Sequence, residues 1–326
     1  MKTENLFLCS LIAIALSTQC QAQEKQKLPN IGKSELFMAD PTIVVHNGVY
    51  YLTGTSDKEG ANRFHLYQSR NLKNWIETDT LLQNGDHTFG SWGFWAPQLF
   101  QFGNRWLMLY TANEQIAIAE AKYLTDKFRQ NDVCPLDESG KNIDPFLFRD
   151  DDGTCYLYHV RFDNGNYLWV AEFDINNQRL KNETLQRCFD LTQPWERTNA
   201  HPVATVMEGP TVIKKGGKYY LFYSANHFES PDYAVGFAVA DTPYGPWRKS
   251  EKNPIIHRSN MQEPGSGHGD IFISNDGLLH YVYHIHYSTE QATPRRTRII
   301  PLHSRETKNG EYEFFVNPQE IIIPVK

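Results

Sequence analysis

One pattern recurs five times along the chain, and it limits the available folds more than any other feature. A Pro is followed by three or four mainly apolar residues, a Gly-containing turn and an aromatic-rich stretch. Four copies read DPTIVVHNGVYYLTGTS, APQLFQFGNRWLMLYTA, DPFLFRDDDGTCYLYHV and GPTVIKKGGKYYLFYSA. A diverged fifth, HGDIFISNDGLLHYVYH, puts Asp270 where the others have Pro. Nine residues separate Pro41 from Tyr50, Pro97 from Trp106 and Pro210 from Tyr219; the DDDG turn makes the third copy two longer. The turns HNG, DDDG, KGG and NDG supply the Asn, Asp and Gly that positive-φ hairpin positions need. A Pro opening a strand breaks no ladder hydrogen bond.

A third strand-like run follows several hairpins: FHLYQS, IAIAEA, YLWVAEF and YAVGFAVA. Two of these runs lead on to a Trp, Trp75 and Trp247, which read as blade core. Copies spaced by roughly 50–65 residues, each a small antiparallel sheet, predict an all-β, single-domain, five-bladed β-propeller. The blades account for residues 30–326, with no long helical period anywhere.

Lys2, the apolar run of residues 6–16 and the small residues of CQA predict a secretory signal peptide over residues 1–22, cleaved after Ala22. Residues 23–29 then form a flexible leader, and the protein is secreted or periplasmic. A lipid anchor on Cys20 is the competing reading, though Gln19 makes a poor lipobox. No other segment is long and apolar enough to cross a membrane. Cys134, Cys155 and Cys188 remain, an odd number without CxxC spacing. They make neither a disulfide scaffold nor a zinc site and read as small buried side chains. With a net charge of −6 and no basic block, nucleic acid and anionic membrane are poor partners. The 13% aromatic content suits stacking on flat, neutral ligands.

In a propeller the first strand of each blade lines the central channel. The residues at its mouth are Asp40, Trp95–Ala96, Asp144, Glu208–Gly209 and His268–Gly269. Three carboxylates therefore converge from remote parts of the chain. Gathering acids costs desolvation and mutual repulsion, which a structural role does not explain. Taken singly, Asp40 and Asp144 read as turn acids before Pro; in register with Glu208 they read as a site.

At ADPTIVVHNGVYYLTGTS, WAPQLF, IDPFLFRDDDGTCYL, EGPTVIKKGGKYYLFYS and GHGDIF the chain closely resembles the family 43 glycoside hydrolases, inverting enzymes with a five-bladed propeller fold. The resemblance implies that Asp40 is the general base, that Glu208 is the general acid, and that Asp144 orients Glu208 and raises its pKa. Inverting hydrolysis needs one carboxylate to activate water and a protonated one to meet the leaving oxygen. It also implies a carbohydrate substrate, an arabinose- or xylose-containing plant polysaccharide. Exo-α-L-arabinofuranosidase is the favoured activity, because the chain lacks the C-terminal sandwich of many of the family's β-xylosidases. β-Xylosidase and endo-α-1,5-L-arabinanase are the alternatives, and a sugar-binding propeller without turnover is the alternative of another class.

No cofactor is required for this chemistry. His268 matches a histidine on the propeller axis that in the family sometimes holds a water or a calcium-centred cluster. RDDDGT lacks the spacing and distal Glu of a calcium loop and reads as a hairpin turn. His284 and His286 alternate onto one strand face, but no HExxH or Cys partner completes a metal set. Trp92, Phe94 and Trp95 stand beside the mouth as candidate sugar platforms. Of Arg295, Arg296 and Arg298, in a region where the family places an Arg near the sugar, strand alternation puts Arg296 and Arg298 on one face, and Arg296 is the candidate substrate ligand.

Overall fold

The computed structural model describes residues 35–137, 140–200 and 205–326, so the predicted signal peptide, Cys20 and the leader lie outside it. Blade one runs β1 (Ala39–His46), β2 (Val49–Thr55), β3 (Arg63–Ser69) and β4 (Ile76–Gln83). Blade two has β5 (Trp95–Phe102), β6 (Arg105–Ala112) and β7 (Gln115–Ala121). Blade three has β8 (Asn142–Arg149), β9 (Cys155–Phe162) and β10 (Asn166–Asp174), with short β11 (Arg179–Leu180) and β12 (Gln186–Arg187) on its outer edge. Blade four has β13 (Met207–Lys215), β14 (Lys218–Ala225), β15 (Ala234–Ala240) and β16 (Arg248–Lys249). Blade five has β17 (Gly267–Ile273), β18 (Leu279–Ile285) and β19 (Arg296–Pro301). A hairpin of β20 (His303–Glu306) and β21 (Tyr312–Phe315) follows. This is the predicted all-β, five-bladed propeller.

Blades stack face to face, so their middle strands are covered on both sides. That is why WLMLYTA in β6 and YYLFYSA in β14 are nearly unbroken runs of buried residues rather than alternating ones. Phe64, Phe94 and Tyr110 pack in the seam of blades one and two. Phe222, Phe237, Tyr281 and Tyr283 do the same for blades four and five. Trp75 is buried beside Leu52 and Val282, and Trp247 is half-buried against Tyr158, as core residues. RDDDGT is a hairpin turn, with Asp150 accepting from Gly153 N–H and from the Lys214 ammonium. Of the cysteines, Cys155 is buried and Cys188 half-buried. Cys134 is exposed, contrary to expectation, because it sits in a loop outside the strands.

The ring closes with the two ends of the described chain. Ile322 exchanges both backbone hydrogen bonds with Ile299 at the outer edge of blade five. Three residues on, Val325 bonds to Trp75 and Lys73 of blade one, and Pro324 accepts from Leu36. Removal of residues 321–326 strips these five backbone hydrogen bonds. At about 1 kcal/mol net apiece the truncated protein loses roughly 3–5 kcal/mol. Urea unfolding should therefore show a clearly lower midpoint, and an unchanged midpoint would mean the ring is closed by other contacts.

Candidate active site

Each first strand carries a bulge at the same place. The β1–β2 ladder runs from Ala39↔Thr55 directly to Thr42↔Thr53, and the same skip recurs after Trp95, Ile143 and Glu208. The residue entering each bulge is left-handed: φ is 44° at Asp40, 44° at Ala96, 55° at Asp144, 59° at Gly209 and 37° at His268. The Pro that follows lies in the skipped stretch, where its missing N–H leaves nothing unpaired. In blade five the register pairs Asp270 with Val282, as Thr42 pairs with Thr53. Gly269, and not Asp270 as expected, therefore occupies the Pro position. A Cβ there would lie 1.7 Å from the Val282 carbonyl oxygen, so only Gly fits.

The left-handed residues are tied blade to blade through their amides. Ala96 N–H donates to Thr55 Oγ1 (3.0 Å), Asp144 N–H to Thr111 Oγ1 (3.1 Å) and His268 N–H to Ser224 Oγ (2.7 Å). The ring is completed by Asp40 N–H donating to His284 Nδ1 at 3.1 Å. Each acceptor stands opposite the residue preceding the bulge of its own blade. In blade three that place belongs to Val160, which has nothing to offer. There Gly209 N–H donates to the Asp144 carboxylate itself, at 3.1 Å. Asp144 thus holds the backbone next to Glu208.

The three acids are brought together as expected, all of them buried. Asp40 accepts from Thr55 Oγ1 (2.6 Å) and from Arg295 Nη1 (3.0 Å), and His268 Nδ1 lies 3.3 Å from its Oδ1. His268 Nδ1 is also 3.7 Å from Asp144 Oδ2. Glu208 accepts from Tyr233 Oη at 2.7 Å, and the nearby Asn166 side chain also favours its charged form. Burial works to raise the Asp40 pKa, but the Arg295 guanidinium and His268 outweigh it and hold the carboxyl well below the usual carboxylate range. Burial raises Glu208 to about 7, with the Asp40 charge adding to it and Tyr233 and Arg295 opposing. Asp144 is raised well above its usual value by burial and then by the charges of Glu208 and Asp40. The site therefore holds one carboxylate kept ionised and two that resist ionisation.

The outer residues sort differently. Trp95 is partly exposed at the mouth and Trp92 more so, their rings edge to face at 5.8 Å. Phe94 does not join them. It is fully buried just ahead of β5, face-stacked on Tyr110 at 5.9 Å in the seam of blades one and two. Arg296 is also a correction. Its Nε donates to the His286 carbonyl and its Nη1 faces Glu35, and Arg298 on the same strand face binds Glu35 and Glu263. Alternation grouped these two correctly, but their face is an ion cluster. Arg295, on the other face, reaches the site, its fork held by Asp57 at 2.8 and 2.9 Å.

His284 is an amide acceptor rather than a metal ligand; burial pushes its pKa down to about 3, so its contact with Asp40 is no ion pair. His286 Nε2 lies 2.8 Å from the Phe228 carbonyl oxygen. The surroundings of His268 do not fit a calcium shell. Both Asp270 oxygens are taken, by Thr42 Oγ1 (2.6 Å) and Thr211 Oγ1 (2.7 Å), and the axial cavity here is about 30 Å³. That volume suits a water. Among the described residues no three His, Cys, Asp or Glu side chains form a metal-binding group. A cleft of about 870 Å³ between blades two and three contains none of the three acids. Sequence reasoning missed Asp57, Asn166 and Tyr233, since they lie outside the repeated hairpins and no register pointed to them.

Residues 34–307 match Glycosyl hydrolases family 43, and the chain belongs to that family. It is a glycosidase, which sets aside a sugar-binding propeller without turnover. It is similar to a Bacteroides thetaiotaomicron structure described as an endo-1,4-beta-xylanase, at 37% identity and a TM-score of 0.82, over 89% of this chain and 97% of that one. Beta-D-galactofuranosidase xynD of Aspergillus niger is 25% identical over 80% of this chain and 78% of its own length. Alpha-L-arabinofuranosidase 43 of Humicola insolens is 27% identical over 92% of this chain and 66% of its own.

The raised pKa of Glu208 has a stability consequence. Unfolded, the group titrates near ~4.3; folded, it holds its proton to about pH 7. Stability it contributes is fully present below the unfolded value and is lost as pH rises through the folded one. Glu208→Gln removes that loss. The variant's melting temperature should match wild type near pH 4 and exceed it at pH 8, and an equal difference at both pH values would contradict the buried, proton-holding environment.

Proposed function

We propose that the protein hydrolyses glycosidic bonds with inversion, Asp40 acting as general base and Glu208 as general acid. The observation that carries this reading is the opposite treatment of two buried carboxylates at one mouth: Asp40 is held ionised, while Glu208 is pushed up to about 7. Environments that drive two acids apart mark the base and the acid. Asp40 takes a proton from water as that water attacks the anomeric carbon. Glu208 gives its proton to the departing oxygen on the opposite side, and no sugar–enzyme bond forms. Exchange with solvent then restores both groups. Arg295 keeps Asp40 ionised at some expense of basicity. Asp144, itself kept protonated by burial and by the charge of Glu208, fixes the adjoining Gly209 amide, and it is burial and the Asp40 charge that raise Glu208.

The substrate in this reading is an arabinose- or xylose-containing plant polysaccharide or its oligosaccharides, with exo-α-L-arabinofuranosidase as the activity. The name of the Humicola insolens relative supports it. Action on xylan is the second reading, favoured by the name of the 37% identical structure. Trp92 and Trp95 offer the aromatic platform for a sugar ring. A polymer outside the cell also agrees with a cleaved leader, and N-terminal sequencing of exported protein should then begin at Gln23.

Glu208→Gln should lower turnover by roughly 10²–10⁴-fold on natural linkages, the range of lost general acid catalysis. The loss should be much smaller on dinitrophenyl glycosides, whose leaving group departs without a proton. Equal losses would remove Glu208 from the acid role, and proton NMR showing the retained anomer as first product would overturn the mechanism. Aryl arabinofuranosides and xylopyranosides assayed beside arabinan and xylan, with product lengths recorded, decide the substrate; xylan cleavage alone would sink the arabinofuranosidase reading.

A further inference from the structure

We propose that Tyr233 is a positioning residue for Glu208, one that keeps Oε1 as an acceptor and so leaves the transferable proton on Oε2. This rests on the reading of Glu208 as the general acid. Tyr233 lies just ahead of β15 and is fully buried, its hydroxyl 2.7 Å from Glu208 Oε1. Among the described residues the phenol has no other hydrogen-bond partner, so its single proton goes to Oε1. A protonated carboxyl with free rotation spreads its proton over both oxygens. With Oε1 occupied as an acceptor, the proton resides on Oε2.

The ring is clamped for this task. It stacks on His284 at 5.7 Å with the planes 14° apart, and His284 is the imidazole that accepts the Asp40 amide. Its edge lies against Gly267, where a Cβ would come within 2.2 Å of Cδ1. A Phe would fill the same space, so packing alone does not call for the hydroxyl. A donor to the carboxylate also stabilises its charged form, which sets the Tyr hydroxyl against the upward push of burial. The other charged and titratable groups around the pair are Asp40, Asp144, Arg295, His268 packed against Gly209, and His284 behind the ring.

The test compares Tyr233→Phe with site-specific replacement of Tyr233 by 3-fluorotyrosine, whose hydroxyl is a stronger donor. A general acid loses activity as pH rises through its pKa. Tyr233→Phe should move the alkaline limb of kcat/KM to higher pH, and fluorotyrosine should move it to lower pH. Tyr233→Phe should also cost about tenfold more in kcat on an unactivated glycoside than on its dinitrophenyl counterpart, the scale of one hydrogen bond to an ionisable group. Limbs that stay at the wild-type pH in both proteins, or equal losses on the two leaving groups, would overturn the proposal. Glu208→Gln in the same assay separates the failures. If it discriminates between leaving groups and the Tyr233 proteins do not, only the role of Tyr233 falls; if it does not discriminate, the acid assignment falls first.

Discussion

The mouth of this propeller depends on a single backbone event repeated around the ring: a left-handed residue in a bulge, its amide tied to a neighbouring blade. Such a conformation costs a non-Gly residue about 1–2 kcal/mol. Four of the five positions bear it with a side chain in place, and the strain persists because the surroundings over-determine it. The amide ties supply that determination. They also explain the choice of residues at the ends of the second strands, where Thr55, Thr111, Ser224 and His284 are all acceptors. Asp144 stands in where Val160 cannot serve. One carboxylate is thereby architectural and electrostatic at once.

Upon this frame the charges are arranged unequally. Arg295 is locked by Asp57 before it meets Asp40, so its cation is delivered at a fixed place and does not wander to Glu208. Burial acts on all three acids in the same upward direction, and only Asp40 has enough positive partners to reverse it. The contacts of Asp40 with one guanidinium and two imidazoles thus set it apart from chemically similar neighbours.

Much of this was legible in the chain. The repeat set the number of blades and aligned Asp40, Asp144 and Glu208 at one mouth, because hairpin turns and strand-opening prolines have local signatures. Alignment by similarity failed in blade five, where Asp270 resembles a displaced Pro; the register shows Gly269 in that role, a consequence of tight packing against Val282. Alternation paired Arg296 with Arg298 correctly, yet it could not say which face looks into the site. Phe94 illustrates the same limit, since an aromatic beside a mouth and an aromatic in a seam differ only in the direction of one side chain. Tyr233, Asp57 and Asn166 act from segments outside the repeated hairpins, where only tertiary structure assigns a neighbour.

The bond pattern around Glu208 and Asp40 differs sharply in span. Glu208 finds the Tyr233 hydroxyl 25 residues downstream, within its own blade. Asp40 takes its amide acceptor from 244 residues away and its guanidinium from 255. During synthesis Glu208 and Tyr233 can meet as soon as blade four emerges, whereas the clamp on the Tyr233 ring and the partners of Asp40 must wait for the last blade to dock against the first. Such long-range contacts are the slow ones in folding. In the mechanism proposed above, hydrolytic competence is therefore acquired only at the final docking step, and a chain still open between its first and last blades holds Glu208 without its blade-five clamp and Asp40 without its partners.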